Sequence, residues 1–143
     1  MKIERFEDIE GWQQARLLTR YVYAAAKKPG FARDFGLKDQ IQRAAVSSMS
    51  NSAEGFDSGS NAEFVKFLRY AQRSCTEVQS TLYVALDQEY ITEQEFQSAY
   101  TQAAKTRSLL GGLIKYLLTY ERSKSATKNQ ERLLRVSNQE PRT

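Results

Sequence analysis

Residues 60–85, SNAEFVKFLRYAQRSCTEVQSTLYVA, carry the clearest helical pattern in the chain. Apolar residues recur there in alternating steps of four and three, which is typical of the buried face of a long bundle helix. Ser60-Asn61-Ala62-Glu63 is a capping-box pattern, in which the serine and glutamate side chains bind free backbone amides, so we expect the helix to begin there. The apolar face consists of Phe64, Leu68, Ala71, Cys75, Val78, Leu82 and Ala85.

A second long helix is predicted after a connection of about six residues. Thr92-Glu93-Gln94-Glu95 is another capping-box pattern, so Glu93 and Glu95 are interpreted as residues of a helix start rather than as paired catalytic carboxylates. So short a connection makes the two helices antiparallel neighbours, as in an up-down bundle. The apolar face of this helix consists of Phe96, Ala99, Ala103, Thr106, Leu110, Leu113 and Leu117.

Two further helices are predicted upstream. The first should end near Pro29-Gly30, because proline lacks the amide that a helix interior needs. In the second, residues 44–53 (AAVSSMSNSA) are small, and they either let another helix approach closely or weaken the helix; the sequence leaves both open. The apolar positions are Trp12, Ala15, Leu18, Val22 and Ala25 in the first helix, and Leu37, Ile41, Ala45, Met49, Ala53 and Phe56 in the second.

The sequence therefore predicts an all-α protein, because no run of alternating β-branched residues is bounded by turn signals. We expect an antiparallel up-down four-helix bundle over residues 1–120, followed by a flexible basic C-terminal tail over residues 121–143. The 143 residues suit one domain. Residues 1–120 contain 15 basic and 14 acidic residues, whereas the tail contains six basic and three acidic ones. The tail is thus the most strongly basic part of the chain.

Several classes of function are disfavoured by composition. The chain has no histidine and a single cysteine, Cys75, so the usual zinc, haem and catalytic-triad sites lack their ligands and bases, and no intramolecular disulfide can form. Cys75 lies on an apolar face and is interpreted as a packing residue. No apolar run approaches the roughly 20 residues that span a bilayer, and the charged opening MKIERFEDIE does not resemble a secretory signal. We expect a cytoplasmic, non-enzymatic protein without cofactor, metal or membrane partner.

A basic stripe is the best candidate site. Lys66, Tyr70 and Arg73 lie four and three residues apart on the face opposite Phe64, with Arg69 beside them, and Arg43 adds to this face if the second and third helices are adjacent. Cations bind phosphates and a tyrosine ring stacks on a base, so the stripe is a candidate nucleic-acid-binding face. A plain solvated surface is the alternative, in which Glu77 pairs with Arg73 one turn earlier.

The aromatic content favours a homo-oligomer. Eight tyrosines and seven phenylalanines are more than one small bundle usually buries, so we expect some of them at a subunit interface. The tyrosines that lie on or beside the flanks of the apolar faces are Tyr21, Tyr23, Tyr83, Tyr116 and Tyr120.

The order and spacing of several short motifs resemble the bacterial four-helix bundle proteins encoded in intervening sequences of 23S ribosomal RNA genes. The resemblance covers about residues 5–118. The motifs are FEDI at 6–9 with Trp12, QIQRAAVS at 40–47, Ser50-Asn51, AEGF at 53–56, EFVKFLRYA at 63–71, EYI at 89–91 and GLIK at 112–115.

This resemblance implies an up-down bundle that assembles into a ring-shaped homopentamer, without enzymatic activity and with a suspected role in binding nucleic acid. The family is also similar to the accessory bundle protein of diversity-generating retroelements, a basic pentamer that engages a reverse transcriptase and its RNA. Arg43, Lys66 and Arg69 fall on motif positions. Ser48-Met49-Ser50-Asn51-Ser52 departs from the family's Ile-Pro-Ser-Asn-Ile, which should straighten the second helix and reduce its buried contact.

Two functions follow as hypotheses. The first is an oligomeric binding or assembly module that binds RNA or single-stranded nucleic acid through Arg43, Lys66, Arg69, Tyr70 and Arg73 and through the tail. The alternative is a protein-interaction scaffold, for example an accessory subunit of a reverse transcriptase, whose basic residues only keep it soluble.

Overall fold

The computed structural model describes residues 2–137, and within that range every regular element is helical. After a single 3-10 turn at Phe6–Asp8, the helices are α1 (Glu10–Ala26), α2 (Pro29–Arg33), α3 (Phe35–Asp57), α4 (Asn61–Asp87) and α5 (Glu93–Ser137). The prediction of an all-α fold is confirmed.

The four long helices form the predicted up-down bundle. Helix α3 packs against α1 and α4, and α5 packs against α4 and α1, so the helices follow one another around the bundle in the order α1, α3, α4, α5. The short helix α2 was not predicted. Pro29 occupies its first turn, where the missing amide costs nothing, so this proline begins a helix as well as following the end of α1 at Ala26.

The core confirms the predicted faces of α4 and, with one change, of α5. All seven predicted positions of α4 are buried. In α5, Leu113 is only half-buried and Ile114 is buried beside it. In α1, Trp12 and Ala25 are half-buried, while Gly11 and Ala26 complete the buried face.

The second half of α3 differs from its prediction by one position. Met49, Ala53 and Phe56 are only half-buried, and Ser48, Ser52 and Gly55 are buried in their place. A Cβ atom on Gly55 would lie 2.8 Å from the Cβ of Phe67, so the backbone of α3 approaches α4 too closely for a larger residue.

Burying serines in α3 leaves no hydroxyl without a hydrogen bond. The Ser48 Oγ donates to the Ala45 carbonyl at 2.6 Å, and the Ser52 Oγ donates to the Ser48 carbonyl at 2.8 Å. A buried hydroxyl without such a bond would cost about 1–3 kcal/mol. The small residues of α3 therefore permit close helix approach, and the helix runs unbroken through them.

Both predicted helix starts carry their caps. The Glu63 amide donates to the Ser60 Oγ at 3.2 Å. At α5, the Glu95 amide donates to the Thr92 Oγ1 at 3.1 Å and the Thr92 amide donates to the Glu95 Oε1 at 3.0 Å, which is a complete capping box. Lys28 also donates to that carboxylate, and this hydrogen bond is the main cause that lowers the pKa of Glu95.

Helix α5 continues past residue 120, the expected end of the bundle, without a break to Ser137. Burial ends at Leu117, and every side chain of residues 118–137, here called the α5 extension, is exposed. The extension contains neither glycine nor proline and is rich in helix-forming residues, so local propensity favours its helical backbone. Its 20 residues extend about 30 Å at 1.5 Å per residue. The basic tail expected over residues 121–143 is thus helical as far as Ser137, and its flexibility stays a prediction. Residues 138–143 lie outside the described range.

No helix within residues 2–137 combines the length and the apolar character that crossing a membrane requires.

Candidate nucleic-acid interface

Four of the five predicted site residues share the solvent-facing side of α4. Lys66, Arg69, Tyr70 and Arg73, here called the α4 row, are all exposed. They lie there because the opposite side of the same helix supplies the buried face, which leaves the intervening positions to solvent.

Contacts within the α4 row orient its central ring. The guanidinium carbon of Arg73 lies 5.8 Å from the centroid of the Tyr70 ring, a distance typical of a cation–π contact. The ring of Phe67 packs edge-to-face against Tyr70, with centroids 6.0 Å apart. Lys66 lies 3.8 Å from the Glu63 carboxylate. The expected pairing of Arg73 with Glu77 does not form among the described residues.

Arg43 does not lie beside Lys66, although α3 and α4 are adjacent. The Ser47 Oγ and the Ser74 Oγ are 3.0 Å apart, which fixes the antiparallel register of the two helices. Arg43, one turn before Ser47, is therefore level with about residue 78 of α4, which is about 18 Å along the axis from Lys66 and about 7.5 Å from Arg73 at 1.5 Å per residue. The expectation that Arg43 adds to the face of the α4 row stays a prediction.

Arg43 instead lines a shallow surface depression with Tyr23 of α1. The α1–α3 register agrees with this, since the Thr19 Oγ1 donates to the Ala45 carbonyl at 3.1 Å. Tyr23 lies one turn beyond Thr19 along α1, and Arg43 lies two residues before Ala45 along α3. At 1.5 Å per residue the two side chains therefore start within about 3 Å of the same level.

Sequence reasoning missed a row of exposed residues on α1. Arg16, Arg20, Tyr23 and Lys27, here called the α1 row, are exposed and lie four, three and four residues apart. The signal was present in the sequence, because the chain has no acidic residue between Glu10 and Asp34.

The α5 extension presents cations on one side. Lys124, Lys128, Arg132 and Arg135 lie four, four and three residues apart, which places them on one helical face. Glu131 lies on the same face, three residues after Lys128 and four before Arg135. Glu121, at the base of the extension, accepts a hydrogen bond from the Asn61 side chain at 2.9 Å.

The one thiol is fully buried, as its position on the apolar face predicted. Burial raises the pKa of Cys75 to about 12, against the smaller lowering effect of the Arg107 charge. A thiol in that state is a poor nucleophile at neutral pH. The described part of the chain contains no group of three or more acidic or cysteine side chains placed to hold a metal ion.

Comparison with protein-family models adds the evidence for ancestry. A model described as "23S rRNA-intervening sequence protein" matches residues 7–112. The chain belongs to this family. The match includes the α1 row, Arg43 and the α4 row, and it ends before the α5 extension.

A solved relative shows the same fold. It is the crystal structure of a protein with unknown function from the S23 ribosomal protein family of Bacteroides thetaiotaomicron VPI-5482. The two chains are 24% identical, with a TM-score of 0.67, and the likeness covers 73% of this chain and 98% of that one. No curated protein matches the chain significantly.

Proposed function

We propose that this protein is a non-enzymatic, homo-oligomeric binding module of the cytoplasm that binds RNA or single-stranded nucleic acid through the α4 row and the α5 extension. The family resemblance favours five subunits. We assign Arg43 to a separate surface, because it lines the depression beside Tyr23 of α1.

The observation that carries the proposal is that these cations make few contacts within the described residues 2–137. All of them are exposed; of this set, only Lys66 forms an ion pair and only Arg73 makes a cation–π contact, with Tyr70. An exposed pair of this kind contributes little, about 0–1 kcal/mol. Exposed cations with so few internal contacts remain available to a phosphate backbone, which binds by releasing condensed counterions.

Tyr70 distinguishes this surface from a plain charged face. The Phe67 ring packs edge-to-face against the Tyr70 ring, and cations precede and follow Tyr70 along the helix. Single-stranded nucleic acid binds to surfaces that combine an aromatic ring for base stacking with positive charge for the backbone. Glu63 and Glu77 flank the row on the same helix and limit its net charge.

Exposed tyrosines at the base of the α5 extension support the homo-oligomer. Tyr116 is 61% exposed and Tyr120 follows it one turn later. Tyr116 borders both an apolar groove of about 320 Å³, which Ile9 and Leu113 also line, and a wider depression that reaches Phe56. Such contiguous apolar surface is typical of subunit contacts. The mass of the protein in solution tests this, since a 16.4 kDa monomer would contradict it.

A salt titration tests nucleic-acid binding. We expect a labelled single-stranded RNA to bind at low salt and to lose affinity linearly with the logarithm of salt concentration. The triple variant Lys66→Glu/Arg69→Glu/Arg73→Glu should reduce the slope by about 2, at about 0.7 for each lost phosphate contact.

The matched control is Lys105→Glu/Arg107→Glu/Lys115→Glu, which changes the charge equally at exposed positions of α5 within the bundle. Absence of binding at low salt, or an equal loss in both variants, would reject the proposal.

The same apolar groove beside Tyr116 favours a second candidate, a protein-interaction scaffold. Co-purification of a stoichiometric protein partner with no nucleic acid would support it. Loss of that partner in a Tyr116→Glu variant, with Tyr83→Glu at another exposed tyrosine as control, would place the contact in the groove.

A further inference from the structure

We propose that the α1 row, together with Arg43 of α3, forms a second single-stranded nucleic-acid-binding surface on a different face of the bundle from the α4 row. This inference rests on the proposed function, since it assigns an additional contact surface for the same class of ligand.

Fewer acidic side chains lie near the cations of the α1 row than near those of the α4 row. Arg16, Arg20 and Lys27 form no ion pair within the described part of the chain, and α1 has a single acidic residue, Glu10, in its first turn. The α4 row, by contrast, has acidic residues at both ends and one ion pair. A phosphate backbone along α1 therefore meets cations without competing carboxylates on the same helix.

The spacing of the α1 row suits a strand that runs along the helix. Arg16 and Arg20 are one turn apart, and Lys27 lies about 16 Å beyond Arg16 at 1.5 Å per residue. Arg16, Arg20 and Lys27 share one side of α1 with Tyr23, and Tyr23 lines a depression whose other lining residues belong to α3. This side of α1 therefore borders α3. A strand whose phosphates bind the three cations could direct its bases toward α3.

The depression supplies partners for those bases. Its volume is about 620 Å³, and its lining includes Tyr23, Arg43, Gln42 and Asn51. A tyrosine ring and a guanidinium offer stacking surfaces, and the Gln42 amide offers a donor and an acceptor to base edges. The Asn51 amide nitrogen donates to the carbonyl and the hydroxyl of Ser47, each at 2.9 Å, so Asn51 offers a base its oxygen as an acceptor. Asp39 and Glu54 also line the depression; they repel phosphates and accept hydrogen bonds from amino groups, so they favour bases over backbone on the α3 side.

A single strand fits this surface better than a duplex. Stacking on Tyr23 requires a base whose face is free, whereas the bases of a duplex are already stacked on one another. The tyrosine interrupts the cations within the row, so a strand that contacts Arg20 and Lys27 must pass its ring.

The test measures binding of a fluorescein-labelled 20-nucleotide oligo(U) RNA to the 143-residue chain, to the α4-row triple variant described above and to three further variants. Arg16→Glu/Arg20→Glu reverses two cations of the row, and Tyr23→Ser removes the ring. Lys105→Glu/Lys115→Glu is the control, with the same change of charge at exposed positions of α5. Circular dichroism verifies that each variant is folded.

We expect the Arg16/Arg20 variant to bind oligo(U) at least about tenfold more weakly and with a shallower salt dependence. Tyr23→Ser should weaken binding by about tenfold with an unchanged salt slope, since it removes a stacking contact. The control should bind like the parent. The same RNA annealed to oligo(A) should bind more weakly than the single strand.

Several outcomes would overturn the inference. One is an equal loss in the control, which would indicate dependence on net charge alone; another is unchanged binding by Tyr23→Ser or equal affinity for the duplex. If the α4-row variant loses binding while the Arg16/Arg20 variant does not, this inference fails and the proposed function stands. If the parent does not bind at low salt, both fail.

Discussion

The two parts of α5 differ in almost everything except backbone conformation. From Glu93 to Leu117 the helix contributes a buried residue at nearly every turn, whereas residues 118–137 contribute none. The first part is held by tertiary packing, which supplies most helical stability in proteins. The second has only its own propensity and side-chain charges. One continuous helix can therefore be a structural element over half its length and a free surface over the other half.

The family match covers most of the packed part of α5 and none of the extension. The family match ends at residue 112, inside the packed part of α5. The extension contains five basic residues and two acidic ones, all exposed. Its role must therefore be inferred from its charge and position, while the packed part follows the common fold.

The largest expected effect compares a leucine of each part. Leu110 is 1% exposed and packs against Gly11, where even a Cβ would lie 2.5 Å from its Cδ2. We expect Leu110→Ala to lower the free energy of unfolding by about 2–5 kcal/mol, because it removes buried methyl groups and leaves a cavity. Urea unfolding followed by circular dichroism measures this.

Leu133→Ala is the matched control, because Leu133 is 70% exposed in the extension. It should change the free energy of unfolding by less than about 0.5 kcal/mol. A larger loss would mean that Leu133 is covered by another subunit in solution, and the contrast between the two parts of α5 would then not hold for the assembly.

Thiol reactivity extends the comparison to chemistry. Cys75 is fully buried with its pKa raised to about 12, so very little thiolate exists at pH 8. In a Cys75→Ala/Ser125→Cys variant the thiol lies on the exposed extension, where its pKa should be near the ordinary value of 9.0. We expect the new thiol to react with a disulfide reagent roughly a thousandfold faster than Cys75. Similar rates would show that the core opens readily.

The raised pKa of Cys75 also gives stability a pH dependence with a definite sign. In the unfolded chain the thiol ionises near its ordinary value of 9.0, whereas in the folded protein it keeps its proton to about pH 12. The unfolded state therefore binds fewer protons in that window, and stability falls as pH rises from 9 toward 12, by at most about 1.4 kcal/mol per pH unit. Cys75→Ala should remove this part of the alkaline decline.

Sequence periodicity predicted the bundle because each long helix buries one apolar face against the other helices. The face of α4 was found completely, since large side chains mark it. In the second half of α3 the predicted buried face was off by one position. The residues buried there are Ser48, Ser52 and Gly55, which no hydrophobic pattern identifies. Their burial follows from close approach to α4, which is a property of two helices together.

The candidate site was predicted in part for a related reason. Spacing along one helix places Lys66, Tyr70 and Arg73 on one face correctly. Spacing along one helix contains no information on register between helices, so it could not show that Arg43 lies about 18 Å along the axis from Lys66. A row such as Arg16 to Lys27 is visible in the sequence, but only the packed bundle shows that it borders the depression that Arg43 lines.

The smallest expected effect on stability comes from deleting most of the extension. A chain that ends at Arg122 keeps the Asn61–Glu121 hydrogen bond and every buried residue. Its free energy of unfolding should therefore match that of the full chain within about 0.5 kcal/mol. The helical circular dichroism signal per molecule should nevertheless fall, because a helix of 15 residues, 123–137, is removed. An unchanged signal would mean that the extension is not helical in solution, since helices of this length are marginal in water unless something stabilises them.

A loss of several kcal/mol in the free energy of unfolding, together with a smaller assembly by mass, would mean that the extension is stabilised by packing against a second copy. In that case both parts of α5 would be structural elements, one within the subunit and the other between subunits.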